Sequence, residues 1–477
     1  MVLNTLGAED YGIYNVVAGL VAMLVVFCSS MTYASQRYFS FSIGQGNLKQ
    51  LQKTFSAFFL IYVLISIVAL LLTETLGLWF VNHKLTFPEN RIGAVRIVYH
   101  ASVVSVLCSI MQSLYLSIIT AHEDMYIFTL VSLIETVLKL GVVFLLQSVT
   151  ADKLVLYGIL IGVTTFITMT AYITICKIKY QVTKLDICWD KKLFVELIGF
   201  NNWNMLGALT TGLKVQALNI ILNRFFDAAV IAARSIAISI NNVILSFANN
   251  FFQAFSPGII KKYAADEKTE IINVMLFYCK ITYFLMFIFV LPLVIETQFV
   301  FLLWLKHPPG YVVVFTRLYL MEALIEAFCF PIQTTVTATG RIKAYQILVS
   351  AIQLLNLPIS WIVLLLGYPP YSVFIIGIGL MIVTCIAKFL IVKKLINYSI
   401  KTLVFYIVLP MMGMTILSGI IPLFIYLSLE QGYLRLFLVV VTSVISTGGS
   451  MYFLGLGKTE REIIKTMVLG VFLKKNL

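Results

Sequence analysis

Glu135, Lys139, Lys214, Arg234, Glu322 and Glu326 all stand inside long apolar stretches of this sequence. If those stretches lie in lipid, a charge at mid-helix costs about 2.5–3.5 kcal/mol, which makes each one a candidate functional group. Glu135 precedes Lys139 by one helical turn, the favourable order for an ion pair on one helix face. Such a pair either neutralises itself or faces a cavity and exchanges its partner for a ligand. Lys214 and Arg234 have no obvious acid on their own helices and stand among amides, including Asn219, Asn241 and Asn242. Cations with amides suit a diphosphate or an acidic sugar, because Arg and Lys bind phosphate oxygens by charge-assisted hydrogen bonds. The alternative is that amides serve as contacts between helices. Glu322 and Glu326 share a helix face, where two carboxylates in low dielectric repel unless one holds a proton. With Glu135 they are the candidates for ion coupling; a wet cavity wall is the other reading. Arg317 is expected at the outer membrane boundary, and Lys280 and Lys388 are expected to snorkel to the inner one.

The elements that must hold these residues follow from composition. The chain of 477 residues is 60% apolar and 12% charged, with a mean hydropathy of +0.98. Soluble domains carry about 25% charged residues, so the natural solvent for this chain is a bilayer. Thirteen stretches reach the length of a spanning helix: 12–33, 55–81, 98–119, 126–147, 154–176, 200–222, 228–255, 271–295, 311–334, 344–366, 372–392, 403–427 and 434–454. In lipid the backbone must satisfy itself, so these spans are helices, and the expected fold class is an all-α polytopic membrane protein. The net charge of +13 reads as the positive-inside rule rather than as affinity for nucleic acid. One set of loops holds Arg37, Lys49, Lys53, the run Lys177 to Lys192, Lys261, Lys262, Lys268, Arg341, Lys343, Lys393, Lys394, Lys401 and the basic C-terminus. The opposite set holds only Lys84, Arg91, Arg96, Lys153, Arg224, Lys306 and Arg435. The bias places the C-terminus in the cytoplasm and residues 1–11 outside.

Motifs for covalent chemistry are missing. The seven cysteines are scattered singly, with neither a CxxC pair nor a zinc spacing. His122-Glu123-Asp124 reads as a polar turn rather than a metal site. There is no GxxxxGK[ST] loop, and no connection is long enough to carry an external catalytic domain. No enzyme, metal or cofactor is expected. Prolines 257, 292, 331, 358, 410 and 422 fall in or beside spans and are expected to kink them.

The chain repeats itself weakly. Val2-Leu3-Asn4 matches Ile221-Leu222-Asn223, and Thr120-Ala121 matches Thr337-Ala338; after one inserted residue Ser132 and Ile134 fall on Ser350 and Ile352. The copies keep the same membrane orientation, the arrangement of a parallel-repeat transporter. Spans one to five answer spans seven to eleven. Span six lacks a full partner, so a first helix is expected to be missing or to lie upstream, and restoring it gives fourteen. The expected organisation is an N-terminal lobe at 1–176, a cytoplasmic linker at 177–199 and a second lobe at 200–396. Two extra helices at 397–454 and an amphipathic cytoplasmic tail at 455–477 complete it.

The stretches "VLNTLGAEDYGIYNVVAGLV", "FFDAAVIAARSIAISINNVILSFANNFFQAFSPGIIKKYA" and "TATGRIKAYQILVSAIQLLNLPISWIVLLLGYPP" resemble the bacterial polysaccharide transporter family, the O-antigen-type flippases. Lipid II flippases and multidrug and toxic compound extrusion (MATE) antiporters share that family's fold. The resemblance covers nearly the whole chain. It implies a MATE-like two-lobe bundle around an alternating-access cavity in a bacterial inner membrane. It also implies an undecaprenyl-diphosphate-linked oligosaccharide as substrate, with membrane lipid, a glycan polymerase and glycosyltransferases of one pathway as partners. In that setting Arg234, Lys214 and Lys139 would hold the anionic head, and Asn219, Asn241 and Asn242 would meet sugar hydroxyls. Glu135, Glu322 and Glu326 would couple transport to an ion. The alternatives are a MATE-type ion-coupled drug antiporter, for which the Lys214 and Arg234 cations are unsuited, and a polytopic glycosyltransferase or polymerase, for which the external loop is missing.

Overall fold

The computed structural model describes residues 6, 8–22, 25–83, 88–149, 152–186, 191–265, 268–305, 308–396, 407–457 and 460–462. All regular structure among them is helical, and the chain divides into two compact units, Met1–Ala208 and Leu209–Leu477.

The first unit contains α1 (Ala8–Ala22), α2 (Val25–Gly44), α3 (Leu48–Leu72), a π-helical turn (Thr73–Gly77), α4 (Leu78–His83), α5 (Ile92–Ala121), α6 (Met125–Ser148) and α7 (Lys153–Lys179). Local chemistry sets the joints. Gly46 turns the chain at φ 66, a left-handed conformation that favours glycine. Asn47 then caps α3 by accepting from the Gln50 N–H at 3.0 Å. Asp152 caps α7 by accepting from the Leu154 N–H at 3.1 Å. Its other carboxylate oxygen meets Arg91 at 2.8 Å, and Arg91 also grips Asp10 at 2.7 Å.

The division between units falls inside α8 (Lys191–Phe225). The expected linker at 177–199 is therefore helical from Lys191 onward. Hydropathy hides this, because Lys191, Lys192 and Glu196 alternate with Phe194, Leu197 and Phe200, which are buried. The second unit continues with α9 (Ala228–Ala264), α10 (Lys268–Leu305), α11 (Val312–Phe328), α12 (Phe330–Ala338), α13 (Lys343–Leu354), α14 (Asn356–Leu365), α15 (Ser372–Ile396), α16 (Leu409–Ser428) and α17 (Tyr433–Ser450).

Both units use the same packing scheme. In the first, α5 packs on α1 and α2, on α3 and on α7, while α2 meets α3 and α6 meets α7. In the second, α11 and α12 together pack on α9, on α10 and on α15, while α9 meets α10, and α13 and α14 meet α15. The helix ends agree with the sequence match as well. α5 ends at Ala121 and α12 at Ala338, the residues paired in the repeat, and the next helices begin at Met125 and at Lys343. The proposed match at Val2-Leu3-Asn4 lies outside the described residues. α16 and α17 have no counterpart in the first unit; they pack on each other and on α10.

Eleven of the described helices are long and apolar enough to cross a membrane, against thirteen expected. The expected span 12–33 runs across residues 23–24, which are outside the described residues. The span 311–334 breaks at Cys329, between α11 and α12, where Pro331 occupies the first turn of α12. A proline there has no N–H to bond the preceding turn, and its ring fits a helix start better than an interior. Pro292 acts differently. It sits inside α10, and four residues later Glu296 leaves helical geometry at φ −96 and ψ 15.

Candidate functional site

Four charged residues of the second unit, Lys214, Glu322, Glu326 and Lys388, gather around one face of α11. Tyr319, Glu322 and Glu326 recur at intervals of three and four, so they stack on one side. α8 brings Lys214 to that face, and its Nζ donates to Glu322 Oε1 at 3.0 Å; the two side chains keep 19% and 15% of their exposure. Glu326 lies one turn further, with Glu322, Lys388 and Lys214 as its charged neighbours. Lys388 comes from α15 and is buried against the Tyr345 ring, 5.9 Å from its centroid. It therefore does not snorkel to a boundary as expected; an aromatic face and an acid hold it inside. Lys214 draws its acid from another helix. Its partner is 108 positions away in sequence, beyond any reading of a single helix.

Arg234 departs most from expectation. It retains 1% exposure, and its helix neighbours Val230, Ala233 and Ala237 form an apolar core with Leu218 and Leu222. Its guanidinium donates to Asn219 Oδ1 and, at 3.2 Å, to the Val215 carbonyl. Neither partner is a carboxylate, and its Nε has no partner among the described residues. Arg234 is thus sealed in packing rather than presented to a ligand. Asn219 holds Arg234, a different role from meeting a sugar. Asn241 and Asn242 stand about two turns along α9 from Arg234. Asn242 is exposed, and the buried amide oxygen of Asn241 accepts no hydrogen bond among the described residues.

Glu135 and Lys139 form their ion pair at 2.6 Å on a half-exposed face of α6, in the first unit. The polar turn at His122 joins α5 to α6. Glu123 takes a left-handed φ of 65, and the His122 ring stacks on Tyr180 at 4.4 Å. Lys179 meets Asp124 at 2.7 Å, and the Tyr180 hydroxyl donates to the same carboxylate. Burial alone would raise the Asp124 pKa, but the Lys179 and Tyr180 hydrogen bonds and the Lys179 charge outweigh it and hold the carboxyl below its usual value. Burial and the Asp124 carboxylate push the Tyr180 hydroxyl up. No group of His, Cys, Asp or Glu among the described residues could hold a metal ion.

Several buried ionic contacts escaped sequence reading. Arg37, assigned to a loop face, is buried with its guanidinium 4.4 Å from the Tyr38 ring centroid and 5.3 Å from that of Phe200. Arg435, also assigned to a loop, makes a two-pronged bond to Glu296 at 2.7 and 2.9 Å, and Glu296 is 0% exposed. Lys280 is buried against Glu460 at 3.0 Å. Arg317 donates to the Val294 and Ile295 carbonyls at 2.9 and 3.4 Å, next to the non-helical Glu296 of α10. No sequence signal marks the Arg435–Glu296 and Lys280–Glu460 pairs, because their partners stand 139 and 180 positions apart.

No family model and no curated protein sequence matches this chain. Solved structures do. An outward-facing multidrug resistance MATE family transporter of the MOP superfamily superposes with a TM-score of 0.70 at 12% identity, over 83% of this chain and 90% of that one. The fold is that of the MATE transporters. The Vibrio cholerae MATE transporter VcmN in its bent form matches at TM-score 0.65 and 17% identity, over 82% of this chain and 89% of its own. A MOP superfamily transporter from Pyrococcus furiosus, described as having a binding pocket of reverse polarity, matches at 0.65 and 11% over 82% and 93%. This MATE-like fold accommodates the two similarly packed units and the two additional helices.

Proposed function

We propose that this chain is a flippase that moves an undecaprenyl-diphosphate-linked oligosaccharide, an O-antigen or capsule repeat unit, across a bacterial inner membrane by alternating access. The MATE-like fold supports a multi-pass membrane transporter. The observation that carries the finer reading is Arg234, a cation at 1% exposure that donates to the Asn219 amide oxygen and the Val215 carbonyl. A buried cation with no ion pair among the described residues is costly, and it raises the potential of the surface nearby. Lys214 is the partly exposed cation of the same unit and would touch the diphosphate. Arg234 acts through the field, and Asn241, with its unpartnered acceptor, would take a sugar hydroxyl. Lys139 is the corresponding cation of the first unit. Glu322, Glu326 and Glu135 are the proposed coupling acids. The isoprenoid tail stays in lipid, the C-terminus lies in the cytoplasm, and glycosyltransferases and a polymerase of the same pathway supply and consume the glycan.

The solved structures favour a second reading, an ion-coupled drug antiporter, because two of the three described above are MATE transporters, one of them named for multidrug resistance. Expression in a strain lacking its own flippase separates the two. Restored surface glycan that is lost with Lys214→Glu, at unchanged membrane abundance, supports the flippase. Drug efflux without glycan restoration would replace it with the antiporter.

A further inference from the structure

The Lys214–Glu322 pair has a feature that neither cation recognition nor ion coupling requires. Glu322 uses one carboxylate oxygen, Oε1, on Lys214. Its other oxygen, Oε2, lies over Gly377 of α15, where a Cβ would sit 3.4 Å away; the Asn356 amide nitrogen of α14 lies 3.4 Å from the same point. Asn356 is 1% exposed and Ser360 is fully buried, and the Ser360 hydroxyl donates to Asn356 Oδ1 at 2.7 Å. That bond fixes which end of the amide is which: the oxygen is occupied, so the two amide hydrogens are directed elsewhere. A buried N–H donor beside a carboxylate, over a residue with no side chain, is a place where that carboxylate can be received.

We infer that Glu322 is an internal counter-ion displaced by the anionic ligand, and that Asn356, Ser360 and Gly377 form the notch that receives it. The inference rests on the reading of Lys214 as an anion ligand. With the site empty, Glu322 neutralises Lys214. When a diphosphate takes the Lys214 ammonium, the carboxylate turns toward the Asn356 amide and keeps a hydrogen bond instead of being left bare, which would be costly in a partly buried setting. Among the described residues Tyr319 and Glu326 also neighbour Glu322; Tyr319 in turn neighbours Arg234, and Glu326 neighbours Lys388. Asn356, Ser360 and Gly377 are positioning residues: they act on the ligand only through Glu322.

The test is equilibrium binding of farnesyl diphosphate, with farnesol as the uncharged control, to the purified full chain in detergent. Glu322→Gln removes the competitor and is expected to tighten farnesyl diphosphate binding about tenfold. Asn356→Leu removes the receiving donor and is expected to weaken it about tenfold; Gly377→Val, which fills the notch, acts in the same direction. In a Glu322→Gln background Asn356→Leu is expected to change nothing, because no charge remains to be received. A merely structural Asn356 would weaken binding equally in both backgrounds, and that result overturns the inference while leaving Lys214 as the anion ligand. Equal binding of farnesol and farnesyl diphosphate, or no binding of either by wild type and Glu322→Gln, overturns both. Ser360→Ala is the milder variant that keeps the test readable if Asn356→Leu does not fold.

Discussion

Replacing Arg435 by Met leaves Glu296 fully buried with no counter-ion. In the native chain Glu296 receives both prongs of the Arg435 guanidinium, at 2.7 and 2.9 Å, and is 0% exposed. Arg435 also packs 4.5 Å from the Tyr426 ring centroid. Breaking a buried pair from one side costs about 3–5 kcal/mol, mostly from the stranded charge. At 1.4 kcal/mol per factor of ten this is a change of about two to three and a half decades in the unfolding equilibrium. The reverse substitution, Glu296→Leu, strands Arg435 and should cost a similar amount. The double variant strands nothing and is expected to recover most of the loss. Reversible unfolding in mixed micelles, followed by tryptophan fluorescence, measures all four corners of this cycle. If Arg435→Met falls within about 0.5 kcal/mol of wild type, or if the two losses simply add, the pair does not hold α17 to the bend in α10 and the argument fails.

Other outcomes follow from single sites. Gly455→Ala places a Cβ 2.5 Å from the Phe284 ring and should lower stability by about 1–3 kcal/mol, visible as a lower melting temperature in detergent. Gly77→Ala drives a Cβ into the Tyr99 hydroxyl oxygen, which donates to the Thr73 carbonyl in the π-helical turn; the same assay should report a comparable loss. The folded Asp124 carboxyl is held below its usual value, so its contribution is present above the unfolded pKa of about 3.9 and fades as pH falls through the lower folded value. On acidification below about pH 4, wild type should therefore lose melting temperature more steeply than Asp124→Asn; parallel curves would show that the Lys179 and Tyr180 contacts carry no net stability.

What could be read in the sequence was what repeats along one helix. The Glu135–Lys139 pair forms as its spacing requires, because both partners lie on α6. The duplication was legible at Thr120-Ala121 and Thr337-Ala338, since helix ends depend on local residues; both helices stop there. The break within the 311–334 span was not legible, because hydropathy is indifferent to the N–H that Pro331 lacks. Contacts across the bundle were invisible. Lys388, Lys280 and Arg435 looked like boundary charges, yet each is buried against a ring or an acid from a distant segment. The same blindness made Lys214 look unpaired and Arg234 look presented to a cavity.

Reconstituted vesicles give the most direct test of transport. The chain is placed in liposomes with a fluorescent undecaprenyl-diphosphate-linked sugar, and the fraction of label open to an external quencher is followed in time. The flippase account predicts redistribution of label between leaflets at a rate that depends on the protein and is abolished by Lys214→Glu. Redistribution no faster than in protein-free liposomes, together with uptake of a cationic dye by the same vesicles, would contradict it.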